Sequence, residues 1–181
     1  MMEISQLIAA CKKQNRNAQK ELYEQFAPKM MGVCLRYSNN RENAEDLLHD
    51  GFIQAFTHIS SFQGKGSFEG WLRKIFVNLA LQNFRDEKKS KLINSDVNDL
   101  NIEIVDHVEE NIEDIIGISN SEILKIIAEL PQGYRAVFNL YVFEDMSHRE
   151  IGQMLGITEV ASRSQYSRAK SLLKKKIQSI I

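Results

Sequence analysis

Residues 147–176, SHREIGQMLGITEVASRSQYSRAKSLLKKK, leave the chain few options, because they spell two helices around one sharp turn. Ser147-His148-Arg149-Glu150 is a capping box, in which the serine and the glutamate satisfy each other's orphan amides at a helix start. Ile151 and Leu155 form the apolar stripe of that first helix. Gly152 is small, as a close crossing by a second helix requires, and Gly156 suits a left-handed residue at a reversal. Thr158 is placed to cap the second helix, whose Tyr166, Ala169 and Leu173 share a core-facing side. Arg163, Ser164, Ser167 and Arg168 gather on another face, and every charge after Glu159 is basic: Arg163, Arg168, Lys170, Lys174, Lys175 and Lys176. Arginines and small hydroxyls on one helix face are what reading a DNA major groove requires. A lysine-rich helix end also has a plainer use, since cations complement the helix dipole there.

The rest of the chain is helix-rich as well. Only Pro28 and Pro131 interrupt 181 residues, and a 43% hydrophobic content is enough to build real cores. Apolar spacing predicts helices over about 3–13, 16–38, 42–58 and 68–87, with the glycine-containing break SSFQGKGS before the last. A second block opens at Ser119-Asn-Ser-Glu122, another capping box, and Pro131 and Gly133 mark a turn within it. The expected class is therefore all-α, with two small helical domains, residues 1–89 and 119–181, joined by an acidic linker over 90–118. Charge divides the same way. Residues 1–89 carry a net +3, residues 90–120 a net −7 and residues 121–181 a net +3, so the overall −1 conceals two basic blocks around an acidic connector. A segment this acidic imitates nucleic acid, so Asp96 through Asp114 are expected to lie in a basic channel of a partner.

Two further stretches carry chemistry. In AEDLLHDGFIQAF, Glu45, Asp46 and Asp50 make an acidic face opposite an apolar one, as a surface docking on a basic partner would. Asp46-Leu-Leu-His49 also has the carboxylate-x-x-His step of di-iron bundles, but that site needs a second such step and more inward carboxylates, which the sequence does not supply. No metal and no cofactor is expected. The following loop, with Phe62, Gln63, Lys65 and Ser67, sets an aromatic beside a cation and an amide, which suits unstacked single-stranded bases. Lys74, Asn78, Gln82 and Arg85 continue a polar stripe along the next helix, while Phe68 and Trp71 are expected in the core, leaving Phe62 as the exposed aromatic.

Together these segments resemble the extracytoplasmic-function (ECF) group of bacterial RNA polymerase sigma factors over nearly the whole chain. CLRYSNNRENAEDLLHDGFIQAF and FQGKGSFEGWLRKIFVNLALQNFR resemble the family's region two, and LPQGYRAVFNLYVFEDMSHREIGQMLGITEVASRSQYSRAKSLL resembles region four. The resemblance implies a non-enzymatic subunit that binds core RNA polymerase and directs it to promoter DNA. It implies polymerase contacts by Asp46, Leu47, His49 and Asp50, with His49 standing where a glutamine is more usual. It implies minus-ten element contacts by Phe62, Gln63, Lys65, Ser67, Lys74, Asn78 and Arg85, and minus-thirty-five contacts by Arg163, Ser164, Ser167, Arg168 and Lys170. Val160 and Ser162 depart from the small and the apolar residue usual at those places. An anti-sigma factor is a common partner in the family.

Other classes fit less well. A helix-turn-helix regulator acting without polymerase leaves the acidic helix and the Phe62 loop unexplained. A nuclease or recombinase needs clustered carboxylates or a nucleophile beside a base, whereas His49, His58, His107 and His148 are dispersed and no glycine-rich phosphate loop occurs. Cys11 and Cys34 lie within apolar helical patterns and are expected as core thiols in a reducing cytoplasm. No apolar run reaches bilayer length and the N-terminus does not look like a signal peptide, so no membrane insertion is expected.

Overall fold

The computed structural model describes residues 3–94 and 119–179, and every regular element among them is helical. In chain order these are α1 (Ile4–Lys12), α2 (Arg16–Tyr37), α3 (Arg41–His58), a single 3-10 turn (Ile59–Ser61), α4 (Phe68–Asn94), α5 (Asn120–Ala128), α6 (Gln132–Val142), α7 (His148–Leu155) and α8 (Glu159–Gln178). They fall into two compact units, Met1–Gln82 and Asn83–Ile181. Most of the expected acidic linker, residues 95–118 with Asp96 through Asp114, lies outside the described residues. Helix α4 runs on to Asn94, past the end expected near 87. The run DEKKSKL has no proline or glycine and is rich in good helix formers, so nothing local stops the helix.

In the first unit, asparagines start two helices. Asn15 Oδ1 accepts the Ala18 amide at 3.0 Å, and Asn40 Oδ1 accepts the Asn43 amide at 2.8 Å. Helix α2 passes straight through Pro28. Leu22 and Phe26 before the proline and Met30 and Val33 after it are all buried, and that shared apolar face offsets the one lost backbone bond. Cys11 and Cys34 are buried and free as expected, and burial pushes the Cys34 thiol up to about 12, far from a reactive thiolate. The centre of this core is Phe76, fully buried on α4 and edge-on to Phe52 at 5.4 Å. Opposite it sits Gly51, where a Cβ would lie 2.2 Å from the Phe76 ring, so α3 presents bare backbone to that ring.

In the second unit both capping boxes form, at Ser119/Glu122 and Ser147/Glu150. Hydrogen bonds from the two serines hold both glutamates below the usual carboxylate range. Gly156 takes φ 68° and closes α7, and Thr158 caps α8. Gly152 is needed for a reason other than a helix crossing. A Cβ there would come 2.8 Å from the Ile157 carbonyl, so it is the turn's own backbone that packs against it. Gly133 lies inside the first turn of α6, not in the loop, because Pro131 already serves as that helix's N-cap residue. Ile126, Ile127 and Leu130 pack with Phe138, Ala169 and Leu173. The buried Arg135 donates to the Ala128 carbonyl at 2.6 Å, satisfying the end of α5.

Candidate functional site

Helix α3 separates its charges from the core cleanly. Asp46, His49 and Asp50 are exposed, while Leu48, Phe52 and Ala55 are buried on the other side. Glu45 pairs with Arg41 at 2.8 Å, whereas Asp46 and Asp50 make no ion pair among the described residues. The charge left for a partner is therefore that of the two aspartates together with the exposed Glu42 one turn before Asp46. Leu47 corrects an expectation. It is buried, 4% exposed, and packs inward, so any effect it has on a partner acts through the position of α3. Ile53 was missed. It is half exposed, at 52%, and continues the row Asp46, His49, Asp50, Ile53 at the helical spacing i, i+3, i+4, i+7. An apolar residue on the charged row, off the core row, was the signal available in the sequence.

The loop before α4 overturns a second expectation. Phe62 is buried, not exposed. Its ring lies 5.3 Å from Phe68 and 5.5 Å from Trp71, and Lys12 Nζ donates to its carbonyl at 2.6 Å. Three aromatics within seven positions of a glycine-rich bend bury more area against one another than any could in water, and edge-on packing adds to that. Phe68 is core as expected, and Trp71 is half-buried beside it. Gln63 and Lys65 remain exposed, with Lys65 set between Gly64 and Gly66, both left-handed. Ser67 already has a partner, because its Oγ accepts the Gly70 amide at 3.0 Å at the start of α4. Lys74, Asn78 and Gln82 form an exposed row along α4. Arg85 falls in the second unit and donates to the Met154 carbonyl at 2.6 Å.

On α8, Arg163 is exposed and held by Glu159 at 2.6 Å, an i, i+4 pair. An exposed pair of this kind contributes little, so Arg163 exchanges it readily for another acceptor. Ser164 and Ser167 are partly exposed on the same side. Arg168 and Lys170 sit at its flanks: Arg168 donates to Tyr134 Oη at 3.2 Å, and Lys170 Nζ lies 5.1 Å from the centre of the Tyr166 ring. Among the terminal lysines, Lys176 pairs with Glu129 and so helps tie α8 to α5.

The back of α8 holds a feature not foreseen. Ser162 is fully buried, and its hydroxyl shares a 2.9 Å hydrogen bond with His148 Nδ1 at the start of α7. The His148 ring stacks on Tyr141 at 4.6 Å and lies 5.6 Å from Tyr166. The buried serine is thus matched by a histidine. Burial, and next the charge of Arg163, hold His148 below its ordinary value, against a smaller opposing pull from Glu159. The sign of the pH effect follows. Below about 6.5 the unfolded ring takes up a proton that the folded ring still refuses, so the second unit loses stability as pH falls. The opening free energy of α8 amides, from hydrogen exchange, is expected to drop between about pH 7.5 and about 5.5, and His148→Gln should flatten that slope. An unchanged slope in the variant would remove His148 as its source.

Among the described residues no set of three His, Cys, Asp or Glu side chains is placed to hold a metal, and no helix is long and apolar enough to cross a membrane. Comparison with known proteins agrees with the two-part layout. Residues 22–90 match the sigma-70 region 2 family and residues 120–173 the sigma-70 region 4 family. The ECF RNA polymerase sigma factor SigW of Bacillus subtilis is 27% identical, with 99% of each chain covered. The ECF sigma factor SigE of Mycolicibacterium smegmatis is 31% identical over 85% of this chain and 59% of its own length. In fold, the sigma factor RpoE of Bartonella quintana, solved with the anti-sigma factor NepR, superposes with a TM-score of 0.52 at 18% identity, covering 88% of this chain and 96% of that one. With region 2 and region 4 in this order and relatives of the ECF group along its whole length, the chain belongs to the ECF group of sigma-70 RNA polymerase sigma factors.

Proposed function

We propose that this sigma factor divides its work between the faces described above. The Asp46, His49, Asp50, Ile53 row of α3 docks on a basic surface of core RNA polymerase, with Ile53 as its apolar anchor. Gln63 and Lys65, with the exposed Lys74 and Asn78, meet the minus-ten element, and the buried Phe62 supports that loop from beneath. The α8 face carrying Arg163, Ser164 and Ser167 reads the minus-thirty-five element, with Arg168 and Lys170 at its margins. The observation that carries this reading is the pairing, in one chain, of an exposed acidic row on α3 with a capped helix-turn-helix whose second helix is basic. A regulator working without polymerase has no use for the first. The site of action is then the cytoplasm, and an anti-sigma factor, as NepR is for RpoE, is a further partner.

Run-off transcription with added core polymerase on a promoter panel tests the whole. The chain alone should yield no transcript, and the holoenzyme should initiate at a subset of promoters. In duplex-binding titrations Arg163→Ala should lose about 1–3 kcal/mol of specific duplex affinity while leaving random duplex binding nearly intact. Arg168→Ala should lose a similar amount, part of it through the Tyr134 contact. Lys175→Ala, exposed and meeting only phosphate, should weaken all duplexes alike and flatten the salt dependence. Equal losses on specific and random duplexes for both arginines would remove them as base readers.

A further inference from the structure

Val160 is the most exposed large apolar side chain among the described residues, at 72%, and it stands in the first turn of α8. Neither packing nor helix propensity calls for it there. It meets no core, and a β-branched residue is a poorer helix former than the alanine or glutamate that flank it. Its position is informative instead. Val160, Arg163, Ser164 and Ser167 follow the spacing i, i+3, i+4, i+7, so the isopropyl group lies on the same side as the polar groups assigned to base reading. It is also at the N-terminal end, the part of a recognition helix whose residues reach base edges. Its stiff χ1 presents the methyl groups in one arrangement before any contact forms.

A major groove offers donors and acceptors at every base pair but only one apolar group, the C5-methyl of thymine. We infer that Val160 is a specificity-determining residue that reads a thymine methyl in the upstream promoter element, beside the bases met by Arg163, Ser164 and Ser167. This rests on the assignment of α8 as the promoter-reading helix. A polar or charged residue at 160 would leave that methyl without an apolar partner, and a cytosine there would present an amino group to the valine without an acceptor.

The test uses the full-length chain in holoenzyme with core polymerase. A duplex pool randomised over both promoter elements is selected with wild type, Val160→Ala and Arg163→Ala. Each thymine of the best upstream element is then replaced singly by uracil, which removes only the methyl. At one position wild type should lose about fourfold in affinity on the change to uracil, and Val160→Ala should be indifferent to it, as expected for one buried methyl contact. If every thymine-to-uracil change affects wild type and Val160→Ala alike while Arg163→Ala still alters the selected sequence, the valine reads no methyl and the inference falls with α8 recognition intact. If wild type enriches no upstream sequence, the α8 assignment itself fails and the inference goes with it. Val160 is solvent-exposed and alanine is the better helix former, so a folding defect does not confuse the comparison.

Discussion

Asp46→Lys/Asp50→Lys is expected to lower affinity for core RNA polymerase by on the order of 100-fold, about 2.7 kcal/mol. The two aspartates are exposed one turn apart on α3, and with Glu45 held by Arg41 they carry, with Glu42, the uncompensated charge of that face. Reversal turns attraction to a basic partner into repulsion at two adjacent points, and juxtaposed like charges cost several kcal/mol across an interface. The loss should shrink as salt rises, since exposed charges are screened over about 8–10 Å at physiological ionic strength. Ile53→Ala makes a useful contrast, because its smaller loss comes from apolar area and should hold steady with salt. Titration of labelled core polymerase at two salt concentrations measures both. Wild-type affinity in a helical Asp46→Lys/Asp50→Lys variant would end the docking assignment, and a loss that ignores salt would mean the aspartates act by some route other than charge.

Phe76→Ala should be the most damaging single truncation in the first unit, costing about 3–5 kcal/mol of its stability. The ring is fully buried against Phe52 and the bare backbone of Gly51, so no neighbour is free to fill the space it leaves. A small domain has only about 5–15 kcal/mol in hand, so this unit should be unfolded in much milder urea. Gly51→Ala attacks the same contact from the other side. Its Cβ would lie 2.2 Å from the ring, and the overpacking, about 1–3 kcal/mol, should exceed the gain of about 1 kcal/mol in helix propensity. Because the two positions share one contact, Gly51→Ala/Phe76→Leu should be more stable than the sum of its single changes allows. Trp71 is the sole tryptophan and sits in this unit against Phe62 and Phe68, so its fluorescence reports the transition selectively. Strict additivity of the two changes would show that they do not act on one contact.

The effects of these variants on function and on stability separate along the same line as the evidence in the sequence. What the amino-acid order determined by itself is whatever closes within about one helical turn. Both capping boxes, the left-handed Gly156, the Thr158 cap and the alternation of core and solvent faces on α3 and α8 involve partners three or four residues apart, so spacing alone specifies them. The charged row of α3 and the basic face of α8 were legible for the same reason, and the order of these segments identified the family. What the tertiary structure decided is everything that depends on which other element arrives. Phe62 in a polar loop looked exposed until Phe68 and Trp71 closed over it. Leu47, adjacent to the exposed Asp46, turned inward because α3 has its core on that side. Ser162, on the core row of α8, has its buried hydroxyl satisfied because His148 reaches it across the turn, and Gly51 matters only because a phenylalanine 25 positions later lies on its backbone. Burial is a property of contact between segments, and hydrophobic periodicity tells a residue which side of its own helix it occupies but not what, if anything, covers that side.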